Sequence, residues 1–379
     1  MSSKKRLKVY YKIYISSILL IIIGSTIVLS SSVGYALLKN VNPTYYFIKQ
    51  IIWLIFGIIG IFLLNKIGIK NIEKYSILFL LFSIFLSFIP IITGNLRWIR
   101  IGPLSFQPAE LLKLSFVIYL SDYLKRKRKT INELKTLIVP FGFFLFITGI
   151  LQLQKDLGTF IIIFFTVSLL LFLGGLSKKY FFLMISIGIA LLPLLIIIFP
   201  YRIERIKIFL NPSIDPNGKG YQIFQSKIAL GSGGLFGKGI GFGKQKLNYL
   251  PEAHKDYVFA IVGEEMGFVG TSFILFLFYN LIFSGFEISR RAKDEFEKFV
   301  TSGISALLGI QFFLHVSVVL SLIPSKGTTL PFFSVGGSSL LANMLSLGIL
   351  LIVGKNVCFL TPKEELETFT FNEPTKLVY

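Results

Sequence analysis

Apolar residues in this chain are grouped into long runs that short polar segments separate. A helix of about 20 apolar residues crosses a bilayer, so runs of this length predict membrane-spanning helices. The fourth run carries charged residues, and only a tight turn separates the fifth from the sixth. The predicted fold class is an all-α polytopic membrane protein with ten transmembrane helices, which lie at 13–37, 45–66, 75–93, 108–124, 136–153, 157–175, 180–200, 257–287, 299–322 and 336–356.

The composition supports this fold class. Of 379 residues, 54% are hydrophobic and 15% are charged, which is too apolar for a soluble globular protein. The first apolar run follows a basic start, as in a signal peptide, but it extends to Leu38 and has no small-residue cleavage site, so we expect a retained helix. One cysteine and two histidines exclude a disulfide framework within the chain and a Cys/His zinc cluster.

Basic residues in the short loops orient the helices. They fall at alternate ends, so the positive-inside rule places these loops and both termini in the cytoplasm. The net charge of +20 is then a topology signal, and nucleic-acid binding is disfavoured because no basic face carries stacking aromatics. The basic loops are 4–8, 66–74, 125–129, 178–179 and 290–298.

This orientation predicts one membrane domain, 1–362, with a large extracytoplasmic loop at 201–256, and a flexible cytoplasmic tail, 363–379. The segments predicted outside hold most of the glycines, prolines and unusual polar residues. We therefore expect the working face to be extracytoplasmic.

The outer loop 201–256 carries nine basic and four acidic residues. This surplus indicates either an anionic ligand, such as a phosphate or a lipid headgroup, or a solvated loop that attracts anionic lipids in general. Residues 201–212 and 220–230 are amphipathic and predict two short helices on the outer leaflet, the first with Arg202 and Arg205 on its polar side.

The segment LGSGGLFGKGIGFGKQ, residues 230–245, is rich in glycine and raises the question of a nucleotide-binding loop. A P-loop would need glycine where Ser232 stands and serine or threonine where Gly239 stands, and a dinucleotide loop would need glycine at Phe242. The predicted topology also separates this segment from cytoplasmic ATP. The nucleotide interpretation is therefore excluded.

Charged residues within the predicted spans are candidates for function, because charge is costly at membrane depth. Glu110 and Lys113 are three residues apart on one helical face, and Pro108 suits the first position of that helix. Asp156 lies at the turn between the fifth and sixth spans. We predict that Glu110, Lys113 and Asp156 form a cluster, which either serves the site or holds three helices together as a structural ion network.

Asp256 lies where the outer loop re-enters the membrane. Local sequence favours a helix N-cap, a frequent use of aspartate at such a point. The alternative is a carboxylate at the water–lipid boundary, where partial desolvation would raise its basicity and suit it to proton abstraction. Glu264 and Glu265 are further candidate acids, and His315 is interpreted as a packed, hydrogen-bonded side chain.

Five long motifs resemble a single family. They are GNLRWIRIGPLSFQPAELLKL (94–114), LQKDLGT (153–159), FLNPSIDPNGKGYQIFQSKIALGSGGLFGKGIG (209–241), LPEAHKDYVFAIVGEEMGFVG (250–270) and IPSKGTTLPFFSVGGSSL (323–340). Together they resemble the SEDS family of shape, elongation, division and sporulation proteins, through nearly the whole chain. The forms LSFQPAELLKL and PSKGTTLPF are more similar to the division member than to the elongation member.

The resemblance implies a peptidoglycan glycosyltransferase of the bacterial cytoplasmic (inner) membrane. Such an enzyme polymerises lipid II into glycan strands on the outer face, during cell division or elongation. The implied fold is the helical membrane fold of the family, which is related to GT-C type glycosyltransferases. The implied partners are a class B penicillin-binding protein, which is the transpeptidase, and other membrane proteins of the divisome or elongasome.

The resemblance also implies roles for single residues. The proposed catalytic aspartate matches Asp256, and the membrane charge cluster of the family matches Glu110, Lys113 and Asp156. We expect the segment 230–245 to be flexible and to contact a lipid-linked pyrophosphate or a growing glycan. The candidate substrate-binding residues come from the motifs and the cationic loop: Arg97, Trp98, Arg202, Arg205, Lys238, Lys244, Glu252, Lys326 and Ser338.

Three positions depart from the family pattern. Lys155 stands where the family usually has proline, Lys255 where it has threonine, and Val335 where it has tyrosine. We expect Lys255 to lower the basicity of the neighbouring Asp256. Val335 removes a hydroxyl from the outer site.

In the implied reaction, the 4-hydroxyl of the acceptor GlcNAc loses a proton to Asp256 as it attacks the anomeric carbon of the donor MurNAc. The departing lipid pyrophosphate needs positive charge, which Arg97, Lys113, Lys326 and the cationic loop would supply, or a divalent cation such as Mg or Mn. The sequence identifies no metal ligands. Attack from the opposite face would invert an α-linked donor to a β-linked chain.

Two other classes of function compete with the enzyme. A lipid II flippase would also use ten spans and a buried charge cluster. A scaffold would recruit division enzymes without chemistry of its own. The gathering of specialised residues on one face favours the enzyme.

Overall fold

The computed structural model of the protein describes residues 3–102 and 104–359, and this part of the chain is mainly helical. Its α-helices, in chain order, are α1 (Ser3–Leu38), α2 (Tyr45–Ile67), α3 (Ile69–Lys74), α4 (Ser76–Ile92), α5 (Pro108–Lys127), α6 (Leu134–Leu153), α7 (Leu157–Leu173), α8 (Lys178–Ile197), α9 (Pro200–Leu210), α10 (Lys219–Ser232), α11 (Val258–Arg291), α12 (Glu295–Val319) and α13 (Gly337–Cys358).

Each of the ten predicted spans coincides with one of the longer helices. Among the described residues, six helices are long and apolar enough to cross a membrane: α1, α2, α6, α11, α12 and α13. Helices α4 and α7 are apolar but shorter. The two amphipathic segments of the outer loop form α9 and α10, as predicted.

Helix α12 lies at the centre of the helical assembly. It packs against α5, α7, α11 and α13, while α13 packs mainly against α2 and α1 against α11. Helices α12 and α13 are mostly buried, whereas α2 exposes large apolar side chains such as Phe62, which is 67% exposed. An apolar exposed face of this kind suits contact with lipid chains.

A short hairpin precedes α5, and the sequence did not predict it. Strand β1 (Ile99–Ile101) pairs antiparallel with β2 (Leu104–Phe106), and Ile99 lies opposite Phe106. Pro108 then starts α5 at its first turn, with Glu110 in the same turn, as predicted. The hairpin places the residues before it, including Arg97 and Trp98, near the start of α5.

Helix α11 is broken at Gly267, whose φ of 65° and ψ of −165° are not helical. The glycine-rich segment, residues 230–245, fills this break. At Gly267 a β-carbon would lie 2.2 Å from Gly237 N, so only glycine permits this approach. Four backbone hydrogen bonds join the segment to both sides of the break: Lys238 N to Glu264 O, Gly239 N to Glu265 O, Phe268 N to Gly234 O and Val269 N to Leu235 O.

Two ion pairs to buried glutamates hold this segment and Lys246, which directly follows it. The Glu264 carboxylate accepts hydrogen bonds from Lys238 Nζ at 2.8 Å and from the backbone N–H groups of Lys244 and Gln245. The Glu265 carboxylate lies 2.7 Å from Lys246 Nζ. The candidate acids Glu264 and Glu265 therefore have structural partners. The segment 230–245, which the sequence predicts to be flexible, is bonded to α11 through its backbone and through Lys238.

The predicted tail, 363–379, and the predicted domain limit at residue 362 lie outside the described residues.

Candidate active site

The segment 250–257 precedes α11 and carries Asp256. Helix α11 begins at Val258 with Tyr257 at the N-cap position, and no side chain caps its first amides. Within residues 3–102 and 104–359, no group donates a hydrogen bond to the Asp256 carboxylate or forms an ion pair with it. The N-cap interpretation of Asp256 is therefore wrong, and its carboxylate is unpaired.

The surroundings of Asp256 raise its pKa to about 6. Burial is the main cause, and the neighbouring carboxylate of Glu252 adds to it. Lys255, Arg205 and Arg97 act in the opposite direction. Lys255 thus lowers the pKa of Asp256 as expected, but desolvation outweighs it, so Asp256 is more basic than an ordinary aspartate.

Two cavities meet at Asp256, and both are also lined by Arg97 and Gly327. The first, which we call the cationic cavity, has a volume of about 370 Å³. The second, which we call the aromatic cavity, has a volume of about 500 Å³ and is lined by Tyr46, Trp53 and Trp98. Asp256 can therefore contact molecules bound on either side of it.

The cationic cavity is lined by six basic residues and two aspartates, Asp156 and Asp256, and has an apolar wall that includes Ile161 and Ile196. The basic residues are Arg97, Lys155, Arg202, Arg205, Lys219 and Lys326.

Lys326 and Arg205 both have side-chain nitrogens in this cavity without a partner among the described residues. Burial lowers the pKa of Lys326 to about 8, and no described residue forms a hydrogen bond or ion pair with its ammonium group. Arg205 donates from Nη1 to Ser325 O at 3.1 Å, while its Nε is buried without a partner. Unpaired buried donors of this kind suit an anionic ligand.

Arg97 and Arg202 are held by structural bonds. Arg97 donates from Nε to Gln154 O at 2.8 Å and from Nη2 to Lys155 O. Arg202 donates from Nη2 to Gln152 Oε1 at 2.6 Å and lies 4.2 Å from the Phe199 ring centroid. These contacts fix both guanidinium groups at the turn between α6 and α7.

Lys155 has a φ of 57°. The proline ring holds φ near −65°, so the residue usual in the family could not adopt this conformation. The Lys155 carbonyl in this position accepts hydrogen bonds from Arg97 and from Tyr201 Oη. Lys155 thus has a backbone conformation that proline could not adopt, and its carbonyl helps to position Arg97.

The predicted cluster of Glu110, Lys113 and Asp156 is not formed as one unit. Asp156 caps α7, because its carboxylate accepts hydrogen bonds from Thr159 N at 3.1 Å and Thr159 Oγ1 at 2.9 Å. Lys113 Nζ lies 3.0 Å from Glu110 Oε2, and both side chains are buried. Among the described residues, no ion pair links Asp156 to Lys113.

Lys113 reaches the site through Gln311, a residue that the sequence did not single out. Lys113 Nζ donates to Gln311 Oε1 at 3.2 Å, and Gln311 Nε2 donates to Thr329 Oγ1 at 3.0 Å. Thr329 bonds to Ser339 at 2.7 Å, and both residues line the aromatic cavity. Lys113 therefore supports a cavity wall. His315 is buried with Nδ1 2.7 Å from Thr328 O, which confirms that it is packed and hydrogen-bonded.

The aromatic cavity includes a face of α2 that the sequence analysis missed. Tyr46, Lys49, Gln50 and Trp53 line it and recur at the spacing of one helical face. The sequence contains a signal for this face, since these polar and aromatic residues recur on one side of a helix at the start of an apolar run.

Of the predicted substrate residues, seven line a cavity and two do not. Lys238 is paired with Glu264, and neither Lys238 nor Lys244 lines either cavity. No group of three or more His, Cys, Asp or Glu residues suited to a metal ion is present in the described part of the chain. The seven residues are Arg97, Trp98, Arg202, Arg205, Glu252, Lys326 and Ser338.

Residues 11–357 match the family of FtsW, RodA and SpoVE, described as cell cycle proteins. A probable peptidoglycan glycosyltransferase FtsW from Buchnera aphidicola subsp. Schizaphis graminum is 39% identical over 334 residues, which cover 86% of this chain and 94% of that protein. Stage V sporulation protein E from Bacillus subtilis is 36% identical over 353 residues, which cover 90% and 95%.

Solved structures have the same fold. A chain of a peptidoglycan synthase complex, studied for the coordination of polymerisation and crosslinking, aligns with a TM-score of 0.70 at 28% identity, covering 89% of this chain and 97% of that chain. The rod shape determining protein RodA from Thermus thermophilus aligns with a TM-score of 0.66 at 27% identity, covering 90% and 96%.

Proposed function

We propose, because the chain belongs to the FtsW, RodA and SpoVE family of cell cycle proteins, that it polymerises lipid II into glycan strands on the outer face of the cytoplasmic membrane. It is a peptidoglycan glycosyltransferase, as its FtsW relatives are named. The observation that supports this reaction best is an unpaired carboxylate, Asp256, at the junction of a cationic and an aromatic cavity.

The charge of the cationic cavity assigns it to the donor. The donor of a lipid II polymerase carries a pyrophosphate, and the unpaired groups of Lys326 and Arg205 would bind its oxygens. The apolar wall that includes Ile161 and Ile196 would contact the polyprenyl chain. The acceptor then enters from the aromatic cavity.

Asp256 acts as the general base. The acceptor 4-oxygen forms a bond with the donor anomeric carbon, and its proton moves to the Asp256 carboxylate. The bond between that carbon and the pyrophosphate oxygen breaks, and the electron pair leaves with the pyrophosphate. Fixed positive charge at Arg97, Arg205 and Lys326 stabilises the negative charge that develops there.

The proposed topology has all ten long helices crossing the membrane, with both termini in the cytoplasm. The start of α5 and the start of α13 then lie at the outer side, where the cavities are. The fold is related to GT-C type glycosyltransferases in this proposal. A class B penicillin-binding protein is the proposed partner, because a structural relative was solved within a peptidoglycan synthase complex.

Polymerisation of labelled lipid II by the purified protein tests this function. We expect the wild-type protein to produce glycan ladders on a gel, and Asp256→Asn to be slower by at least about 100-fold, because general-base catalysis contributes that much or more. Glu204→Gln is the matched control, since it removes an exposed carboxylate of α9 that lines neither cavity.

The wild-type protein is then assayed for movement of lipid II across vesicle membranes. Lipid II translocation without any polymer would contradict the proposed function. Wild-type rates from a folded Asp256→Asn protein would contradict the role of Asp256.

A further inference from the structure

Both tryptophans of the chain, Trp53 and Trp98, line the aromatic cavity. Trp53 is stacked near Phe106, with ring centroids 6.4 Å apart and ring planes inclined by 24°. A β-carbon at Gly337 would lie 1.9 Å from Trp53 Nε1, so the start of α13 packs directly on the indole. The ring is therefore held rigidly in the cavity wall.

Gln50 supplies an unused polar group beside this ring. It is 2% exposed, its Nε2 is buried, and no partner for that nitrogen exists among the described residues. Gln50 and Trp53 are three residues apart in α2 and therefore lie on the same helical face. A buried amide donor costs free energy unless a ligand satisfies it.

The first turn of α13 provides further donors. Gly336 is its N-cap residue, and no side chain caps the helix. Gly336, Gly337, Ser338 and Ser339 all line the aromatic cavity. The first backbone N–H groups of a helix lack partners within the helix, so they are available to carbonyl or hydroxyl oxygens of a bound molecule.

This combination fits a sugar better than an anion. One face of a pyranose ring carries C–H groups that pack on an indole, while its hydroxyl and amide groups need hydrogen-bond partners. Four basic residues line the aromatic cavity. Lys255 is bonded to Glu252 at 3.1 Å, and Arg97 donates to the carbonyls of Gln154 and Lys155. Lys49 Nζ lies 4.3 Å from the Tyr45 ring centroid, and Arg100 is exposed. The unpaired lysine and the buried arginine Nε described above instead lie in the cationic cavity.

We propose that the aromatic cavity binds an N-acetylhexosamine ring of the acceptor, with the ring packed on tryptophan and the acetamido oxygen bonded to Gln50 Nε2. This assignment rests on the proposed function, and it makes Gln50 a determinant of substrate specificity. Because Asp256 and Gly327 form part of the same cavity wall, a sugar held there would present a hydroxyl to the Asp256 carboxylate.

Tryptophan fluorescence tests the assignment without catalysis, because both tryptophans are in this cavity. The probes are the β-1,4-linked trimer of N-acetylglucosamine and cellotriose, which has the same linkage but no acetamido group. We expect the acetylated trimer to change the emission saturably, and cellotriose to bind about tenfold more weakly, because it leaves Gln50 unpaired.

Variants test whether selective binding of the acetylated trimer depends on Gln50 itself or on a general change in the protein. Gln50→Leu should weaken binding of the acetylated trimer about tenfold and leave binding of cellotriose unchanged. Gln225→Leu is the matched control, since Gln225 lies in α10 and lines neither cavity, and it should bind the acetylated trimer as wild type does. Trp53→Phe should remove much of the emission change.

Two outcomes would overturn the proposal. One is equal affinity of the wild-type protein for the two trimers, and the other is no emission change in a protein that polymerises lipid II. A protein that binds the acetylated trimer selectively but forms no glycan would support the saccharide site and contradict the proposed function. The two failures are thus distinguishable.

Discussion

At the scale of single residues, the helix-capping role that the sequence favours for Asp256 belongs instead to Asp156. Asp156, predicted as part of a charge cluster, caps α7 through two bonds to Thr159. Asp256, for which a cap was the favoured interpretation, caps nothing and lies between two cavities. The difference arises because Asp156 directly precedes α7 and occupies its N-cap position, whereas Tyr257 occupies the N-cap position of α11 after Asp256.

The pH dependence of polymerisation should reflect two of these residues. Asp256 accepts a proton only when it is ionised, so kcat/KM should rise as pH increases through about 6. Lys326 binds the pyrophosphate only when it is protonated, so kcat/KM should fall as pH increases through about 8. Initial rates at low lipid II concentration measure this bell-shaped profile.

Lys326→Arg separates the two limbs. Arginine keeps its charge over this range, so the decrease at high pH should disappear while the rise through about 6 remains. A profile that is flat across the lower limb would show that Asp256 is not the group that loses the proton.

At the scale of structural elements, the glycine-rich segment 230–245 completes a broken helix. It bonds to the backbone of α11 on both sides of Gly267, and its Lys238 neutralises Glu264. A break in a buried helix leaves amides and carbonyls without partners, and this segment supplies them. Its glycines allow its backbone to lie close to the backbone of α11. The segment that first suggested phosphate binding therefore has a structural role.

Replacing Gly267 tests that role. Gly267→Ala would add a β-carbon 2.2 Å from Gly237 N at a φ of 65°, and should lower the free energy of unfolding by about 3 kcal/mol. Chemical unfolding in detergent micelles measures the loss. Gly142→Ala in α6 is the control: its β-carbon meets no atom within 4 Å, and alanine favours the helix more than glycine does, so the free energy of unfolding should not decrease. Equal stability of the two variants would contradict the structural role of the segment.

At the scale of the whole molecule, the cavities collect residues from distant parts of the chain. Residues of α2, α9 and the start of α13 line them, together with the segments before α5 and α11. In the proposed topology these parts lie on the outer side of the membrane. One face of the helical assembly would therefore carry the donor and acceptor sites, open to extracytoplasmic substrates.

Cysteine labelling tests the topology. In a Cys358→Ser background, which removes the only native cysteine, Asn217→Cys lies in the outer loop and Lys129→Cys lies after α5. A membrane-impermeant maleimide should label Asn217→Cys in intact spheroplasts, and Lys129→Cys only after permeabilisation, because of the positive-inside rule. The reverse pattern would contradict the proposed orientation.

Much of the fold was predictable from the sequence because its signals are local. The length and apolar character of each run are properties of consecutive residues, and each of the ten predicted spans coincides with a helix. The amphipathic periods of α9 and α10, and Pro108 at the start of α5, are local in the same sense. Motif similarity identified five of the seven candidate residues that line the cavities, and the charge of the outer loop identified the other two, Arg202 and Arg205.

Only the tertiary structure decided which polar groups are used and which are free. Lys113 bonds to Gln311, which is 198 residues away, and Glu265 bonds to Ser30, which is 235 residues away. The sequence did not reveal that Gln50 and Trp53 line a cavity. Mean hydropathy is averaged over a run of residues, so it does not show which side of the helix faces a cavity. A hydrogen bond depends on distance in space, so the unpaired state of Asp256 and the paired state of Lys238 follow from the packing of remote segments rather than from any local pattern.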